Sequence, residues 1–220
     1  MSVEFKNVTK YIGKNKVLDD ITVSIQSGKI TALKGINGSG KTMMMRLIAG
    51  LIYASAGSVI VDHKVLGKDI AFPPNIGIML ENPAFLNGYS GYDNLRMLAD
   101  IRKFIDEERI QQVMACVGLK ENGNKKYGKF SLGMKQRLGI AAAIMEYPSI
   151  LLLDEPTNAL DEAGIGMVKE VILSERERGA TVILSSHDAD FLESVSECIV
   201  EISEGKVKKI YEKKEWGFYV

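Results

Sequence analysis

A chain of 220 residues can bury a substantial core, as one large domain or two small lobes. Lys+Arg and Asp+Glu are equal at 28 each, so net charge draws it neither to nucleic acid nor to an anionic membrane, and no nucleic-acid partner is expected. The longest apolar runs, Ile150 to Leu153 and Gly139 to Met145, are too short to cross a bilayer. The charged, strand-like N-terminus does not read as a signal peptide, which gives a cytosolic location as the expectation. Cys116 and Cys198 lack ligand-like spacing and sit in apolar stretches, where reduced, packed thiols are expected. His63 and His187 are too few for a His-based metal site.

Along the chain, Val3 to Phe5, Thr22 to Ile25 and Ile30 to Leu33 read as short antiparallel strands separated by polar and glycine turns. Tyr11 falls in the first connection, where an aromatic either packs or stacks on a flat base. The strand ending at Lys34 leads into Gly35-Ile36-Asn37-Gly38-Ser39-Gly40-Lys41-Thr42, a full match to the phosphate-loop pattern G-x-x-x-x-G-K-[ST]. A helix over Met43 to Ala49 follows, closed by Gly50, so its N-terminus faces the loop. Gly57 to Asp62 gives another strand, and Ile76 to Leu80 a buried one that runs into the loop Glu81 to Leu86.

Apolar residues then recur at helical spacing over Gly91 to Lys103 and Asp106 to Val117, which predicts a helical lobe inserted into a β-rich one. Ser131 is a candidate N-cap for a helix reaching about Glu146. Ile150-Leu151-Leu152-Leu153-Asp154-Glu155 reads as a buried parallel strand ending in two acids, and ligands collect at such ends. A helix over Glu162 to Arg178, a strand over Thr181 to Ser185 and a strand pair, Cys198 to Ser203 with Lys206 to Tyr211, complete the chain.

These elements carry the parts of a phosphoryl-transfer site. Backbone N–H groups of the glycine loop can wrap a triphosphate, Lys41 can reach its β and γ phosphates, and the Thr42 hydroxyl can ligate Mg²⁺. Asp154 suits the same metal from the opposite side. Glu155, expected to point away from Asp154 along the strand, can act as general base for water. His187 stands at a strand end, either as a structural residue or to hold a phosphate oxygen and orient the water.

In their order, these motifs resemble the nucleotide-binding subunit of an ATP-binding-cassette (ABC) transporter over essentially the whole chain. Tyr11 matches that family's adenine-stacking aromatic, and Phe130-Ser131-Leu132-Gly133-Met134 its LSGGQ signature, with Leu132 and Met134 as departures. Asn158 to Asp161 matches the D-loop, and Glu81 takes the place of the Q-loop glutamine, as in lantibiotic and bacteriocin immunity transporters.

The resemblance implies an α/β fold. Its P-loop NTPase core has a mixed, mainly parallel sheet with flanking helices, and carries an antiparallel β subdomain and an inserted helical subdomain. One domain over 1–220 is expected, with a β lobe over about 1–81 and 147–220 and a helical lobe over about 82–146. Also implied are ATP and Mg²⁺ as cofactors, with Thr42, Asp154 and Glu81 on the metal. Tyr11, Gly35 to Thr42, Ser131, Gly133, Met134 and Asp161 would lie on nucleotide, and Lys41, Glu155 and His187 would act in catalysis. Partners would be a second copy or homologous ATPase subunit, with Ser131 to Met134 gripping the other copy's ATP, and a membrane permease holding the protein on the inner face of the plasma membrane. The implied work is export of a peptide antibiotic or drug; the alternatives are a soluble ATPase on nucleic acid or ribosomes, and a regulatory module without turnover.

Overall fold

The computed structural model describes residues 1–81 and 83–213; Asn82, within the expected loop Glu81 to Leu86, and residues 214–220 lie outside the described residues. In chain order, β1 (Val3–Ile12) and β2 (Asn15–Ile25) form a hairpin, and β3 (Ile30–Lys34) passes through the glycine loop into α1 (Lys41–Ile48). Next come β4 (Ala56–Val61), β5 (Lys64–Val65) and β6 (Ile76–Met79), followed by α2 (Gly91–Arg102), α3 (Glu107–Cys116) and α4 (Leu132–Ile144). After β7 (Ile150–Asp154) lie α5 (Glu162–Glu177), β8 (Thr181–Ser185), α6 (Ala189–Val195), β9 (Cys198–Ser203) and β10 (Lys206–Glu212).

The strands form two sheets. An antiparallel sheet has the order β2-β1-β4-β5, and a larger one the order β10-β9-β3-β8-β7-β6. In the larger sheet β9, β3, β8, β7 and β6 run parallel and only β10 is antiparallel, so the mixed, mainly parallel sheet expected of the core is present.

Three expectations need correction. The stretch Ile30 to Leu33 is not antiparallel to the first two strands: β3 lies in the middle of the parallel sheet between β8 and β9. Its residues 30–33 are all buried, as befits a strand covered on both faces. Secondly, β1 and β2 are much longer than the runs Val3 to Phe5 and Thr22 to Ile25, so Tyr11 stands on β1, opposite Lys16, and not in a connection. The register of the hairpin shifts repeatedly, and Asn7 and Asp20, both left-handed, break the alternation from which strand length is read. Thirdly, Cys116 is exposed, off the stripe of Ile110, Val113 and Met114 that α3 buries. Cys198 is half-buried, and burial pushes its thiol pKa up.

The core is two apolar layers, one on each face of the large sheet. Leu151 and Leu153 of β7, Val182 and Leu184 of β8 and Ile30 and Ala32 of β3 face the layer shared with α2, α3, α4 and α5. Ile150 and Leu152, Ile183 and Leu33 face the layer shared with α1 and the antiparallel sheet. This two-sided burial is why β7 is apolar at every position up to its acids.

At β6 the backbone of α4 comes so close that a Cβ on Gly77 would stand 1.9 Å from Ala143 O. Neither backbone can yield without moving an element, so Gly77→Ala should destabilise the fold by about 1–3 kcal/mol. A lowered midpoint of chemical denaturation at unchanged slope checks this.

Candidate functional site

The loop between β3 and α1 is shaped by its glycines. Gly38 and Gly40 have φ of 77° and 117°, which side chains other than glycine's rarely allow. Cβ atoms at Gly35 and Gly40 would also meet Ile202 O at 2.2 Å and Leu18 Cδ2 at 2.6 Å. Gly40 is the N-cap of α1 and offers no side-chain acceptor, so the first-turn N–H groups stay available to an anion. Lys41 is only 6% exposed, and its Nζ donates to Gly35 O (2.7 Å) and Ile36 O (3.1 Å), folding the loop around its own ammonium. The buried Ser39 Oγ has no hydrogen-bond partner among the described residues.

A cleft of about 390 Å³ opens over this loop, lined by Asn37, Gly38, Gly40, Lys41 and Thr42 together with Ile12, Val17, Glu81, Asp154 and Glu155. The sheet order places β7 one strand from β8 and two from β3, so the acids at the end of β7 face the start of α1. Thr42 Oγ1 donates to Asp154 Oδ2 at 2.5 Å, and Ser185 Oγ, directly across the ladder, donates to Asp154 Oδ1. Asp154 is almost wholly buried.

Glu155 does not follow the strand period. At φ 50° its backbone is left-handed, and its N–H is shared between Ser185 O (3.2 Å) and Ser185 Oγ (3.1 Å). Its Oε2 accepts from the His187 N–H at 3.1 Å. The His187 Nε2 lies 3.1 Å from Oε1 but off the hydrogen-bonding direction, so this buried oxygen has no hydrogen-bond donor among the described residues. Burial pushes the Glu155 carboxyl above the usual carboxylate range, with His187 and Lys41 partly opposing it. A buried carboxylate of raised basicity beside a phosphate loop has the character of a general base.

Thr42 and Asp154 supply two hard oxygens at the mouth of the anion-binding loop, a donor set that fits Mg²⁺ completed by phosphate and water. Glu81 lines the same cleft but forms an ion pair with Arg46 of α1, so its carboxylate is not brought to Thr42 and Asp154. Among the described residues no three His, Cys, Asp or Glu side chains converge on one metal position.

Four expected site residues lie elsewhere. Ser131 caps α4, its Oγ accepting from the Met134 N–H at 3.2 Å; Gly133 packs against Ala159, and the Met134 side chain packs on the core. Asp161 caps α5 through Gly164 N–H and pairs with Arg137 at 3.3 Å. None of the four lines the cleft. The Tyr11 ring is 44% exposed, with Lys16 Nζ 5.9 Å from its centre, while Ile12 and Val17 form the apolar wall.

Sequence reasoning passed over Ser185, Arg46 and Gln136. Ser185 shows in the sequence only as a hydroxyl at the end of a buried strand; its place directly across the ladder from Asp154 is set by the sheet register.

The family described as ABC transporter matches residues 18–158. The ABC transporter ATP-binding protein YybJ of Bacillus subtilis is 44% identical over 215 residues, covering 96% of this chain and 99% of that protein. The lantibiotic transport ATP-binding protein SrtF of Streptococcus pyogenes is 35% identical, covering 93% of this chain and 88% of that one. A bacterial ABC transporter cassette solved as a dimer superposes with a TM-score of 0.87 at 26% identity, covering 96% of this chain and 98% of that one. With the phosphate loop and the paired acids in one cleft and His187 against Glu155, the chain belongs to the ABC transporter family, as an ATP-binding protein and ATPase of that family.

Proposed function

We propose that this chain is the energising subunit of an exporter of lantibiotic-like peptides, working as a head-to-tail pair beside a separate permease on the inner face of the plasma membrane. The carrying observation is the single cleft that joins Lys41, Thr42, Asp154 and Glu155, with His187 over the base. Ser131, Gly133, Met134 and Asp161 lie outside that cleft, which supports their use on a nucleotide held by a second copy. The likeness to SrtF supports the cargo class. Among the described residues no helix is long and apolar enough to cross a membrane, so transport work needs a companion that spans it. The segment 82–146 would be the helical lobe, with the loop from Glu81 to Asn87 facing the permease.

In this reading the loop N–H groups and Lys41 bind the triphosphate, and Tyr11 together with the Ile12 and Val17 wall receives the base. Thr42 and Asp154 would hold Mg²⁺, which supplies charge neutralisation at the phosphates. Glu155 takes the proton from the attacking water, and Nε2 of His187, 3.1 Å from Oε1, must turn aside to admit that water. A ring half exposed to solvent has the freedom to do so. Purifying the chain from membranes with its permease, and finding peptide-stimulated phosphate release, tests the proposal. Copurification with nucleic acid or ribosomes, or absence of turnover, overturns it.

Glu81→Gln removes the ion pair with Arg46 without touching the phosphate loop. Its expected outcome is nucleotide affinity within about twofold of the parent, since exposed ion pairs contribute only ~0–1 kcal/mol, with a changed number of ATP molecules hydrolysed per peptide transported. Transport and hydrolysis rates in reconstituted vesicles measure that ratio.

A further inference from the structure

The geometry points to Gln136 as a positioning residue for Glu155, tying the catalytic carboxylate to the helix that begins at Ser131. Gln136 lies in the second turn of α4, only 5% exposed, and its Nε2 donates to the backbone carbonyl of Glu155 at 2.9 Å. That carbonyl also accepts from the Asn158 N–H at 3.2 Å, while the Glu155 N–H is held by Ser185. Both peptide groups flanking a left-handed, non-glycine residue are thus fixed, and a conformation costing of order 1–3 kcal/mol persists only under such restraint.

Of these restraints, Gln136 alone comes from outside the strand ends and the turn after β7. It reaches across 19 residues of sequence from a helix that also abuts Ala159 at Gly133 in its first turn and pairs with Asp161 through Arg137 in its second. A rigid shift of the α4 N-terminus therefore moves Gln136, and with it the peptide that aims the Glu155 side chain. The inference rests on the reading of Glu155 as general base.

Gln136→Met keeps the length and apolar stem of the side chain and removes the donor. Its expected result is a kcat lowered about 10-fold to 100-fold, the penalty for misplacing a catalytic group by roughly 1 Å, with the KM and equilibrium affinity for Mg·ATP within about twofold of the parent. Backbone amide exchange, followed without nucleotide, should quicken at Glu155, Thr157 and Asn158 and stay unchanged within α4. An unchanged kcat in a folded variant overturns the inference. So does a joint loss of kcat and of amide protection throughout α4, which marks a packing role. If Met at this position prevents folding, Gln136→Leu read by the same two measurements decides in the same way. Failure of the underlying reading is separable: it shows as normal turnover in Glu155→Gln, whereas failure of this inference leaves that variant inactive and Gln136→Met active.

Discussion

Glu155→Gln is expected to take up Mg·ATP as the parent does, to hydrolyse it at least about 100-fold more slowly, and to accumulate as a nucleotide-bound dimer. The amide keeps the shape of the side chain and can still meet the His187 N–H, but it cannot accept the proton of the attacking water. Binding is spared because phosphate contacts come from the loop and Lys41, so loss should fall on kcat alone. Single-turnover kinetics with size-exclusion chromatography in ATP would show both effects, and normal hydrolysis would remove Glu155 from its role.

The variant also carries its own control for folding. Burial raises the Glu155 pKa in the folded chain above its unfolded value. The protonated form is thus favoured by folding: that stabilisation is complete below the ordinary carboxylate pKa and lost as pH rises through the raised one. Above that window the ionised carboxylate is a liability that a neutral amide lacks, so unfolding at neutral pH should come no earlier in Glu155→Gln than in the parent.

Lys41→Met should produce the opposite split, with affinity failing before chemistry is reached. The buried ammonium is bonded to Gly35 O and Ile36 O, and an incoming phosphate would exchange those neutral acceptors for charged ones. A net loss of about 1.5–3 kcal/mol per charged hydrogen bond corresponds to roughly 10-fold to 150-fold weaker binding. The methionine stem retains the packing beneath the loop, so titration calorimetry can be read against a folded protein. Affinity unchanged within twofold would mean that the loop amides alone hold the phosphates.

The parts of the site that were legible in the sequence are those encoded locally. The glycine loop follows from its spacing, the Ser131 cap from the residue preceding a helix, and the acids from the apolar run Ile150 to Leu153. What was not legible depends on partners far along the chain. Ser185 meets Asp154 across 31 residues and Gln136 meets Glu155 across 19, and no periodicity announces either contact. The neighbours of β3 were misread because four buried residues do not encode which strand lies beside them. The helix α6 was missed because at 7 residues it offers two turns of pattern, and only its Asp188 cap, accepting from Phe191 N–H, marks it. Glu155 departed from expectation because a left-handed residue overrides the two-residue alternation of the strand.

Because consecutive residues of β7 plunge into opposite layers of the interior, that strand is clamped like a beam between two foundations, with the hydrolytic carboxylates cantilevered from its tip. A cavity opened in either foundation would therefore surface at the tip as lost catalytic tempo.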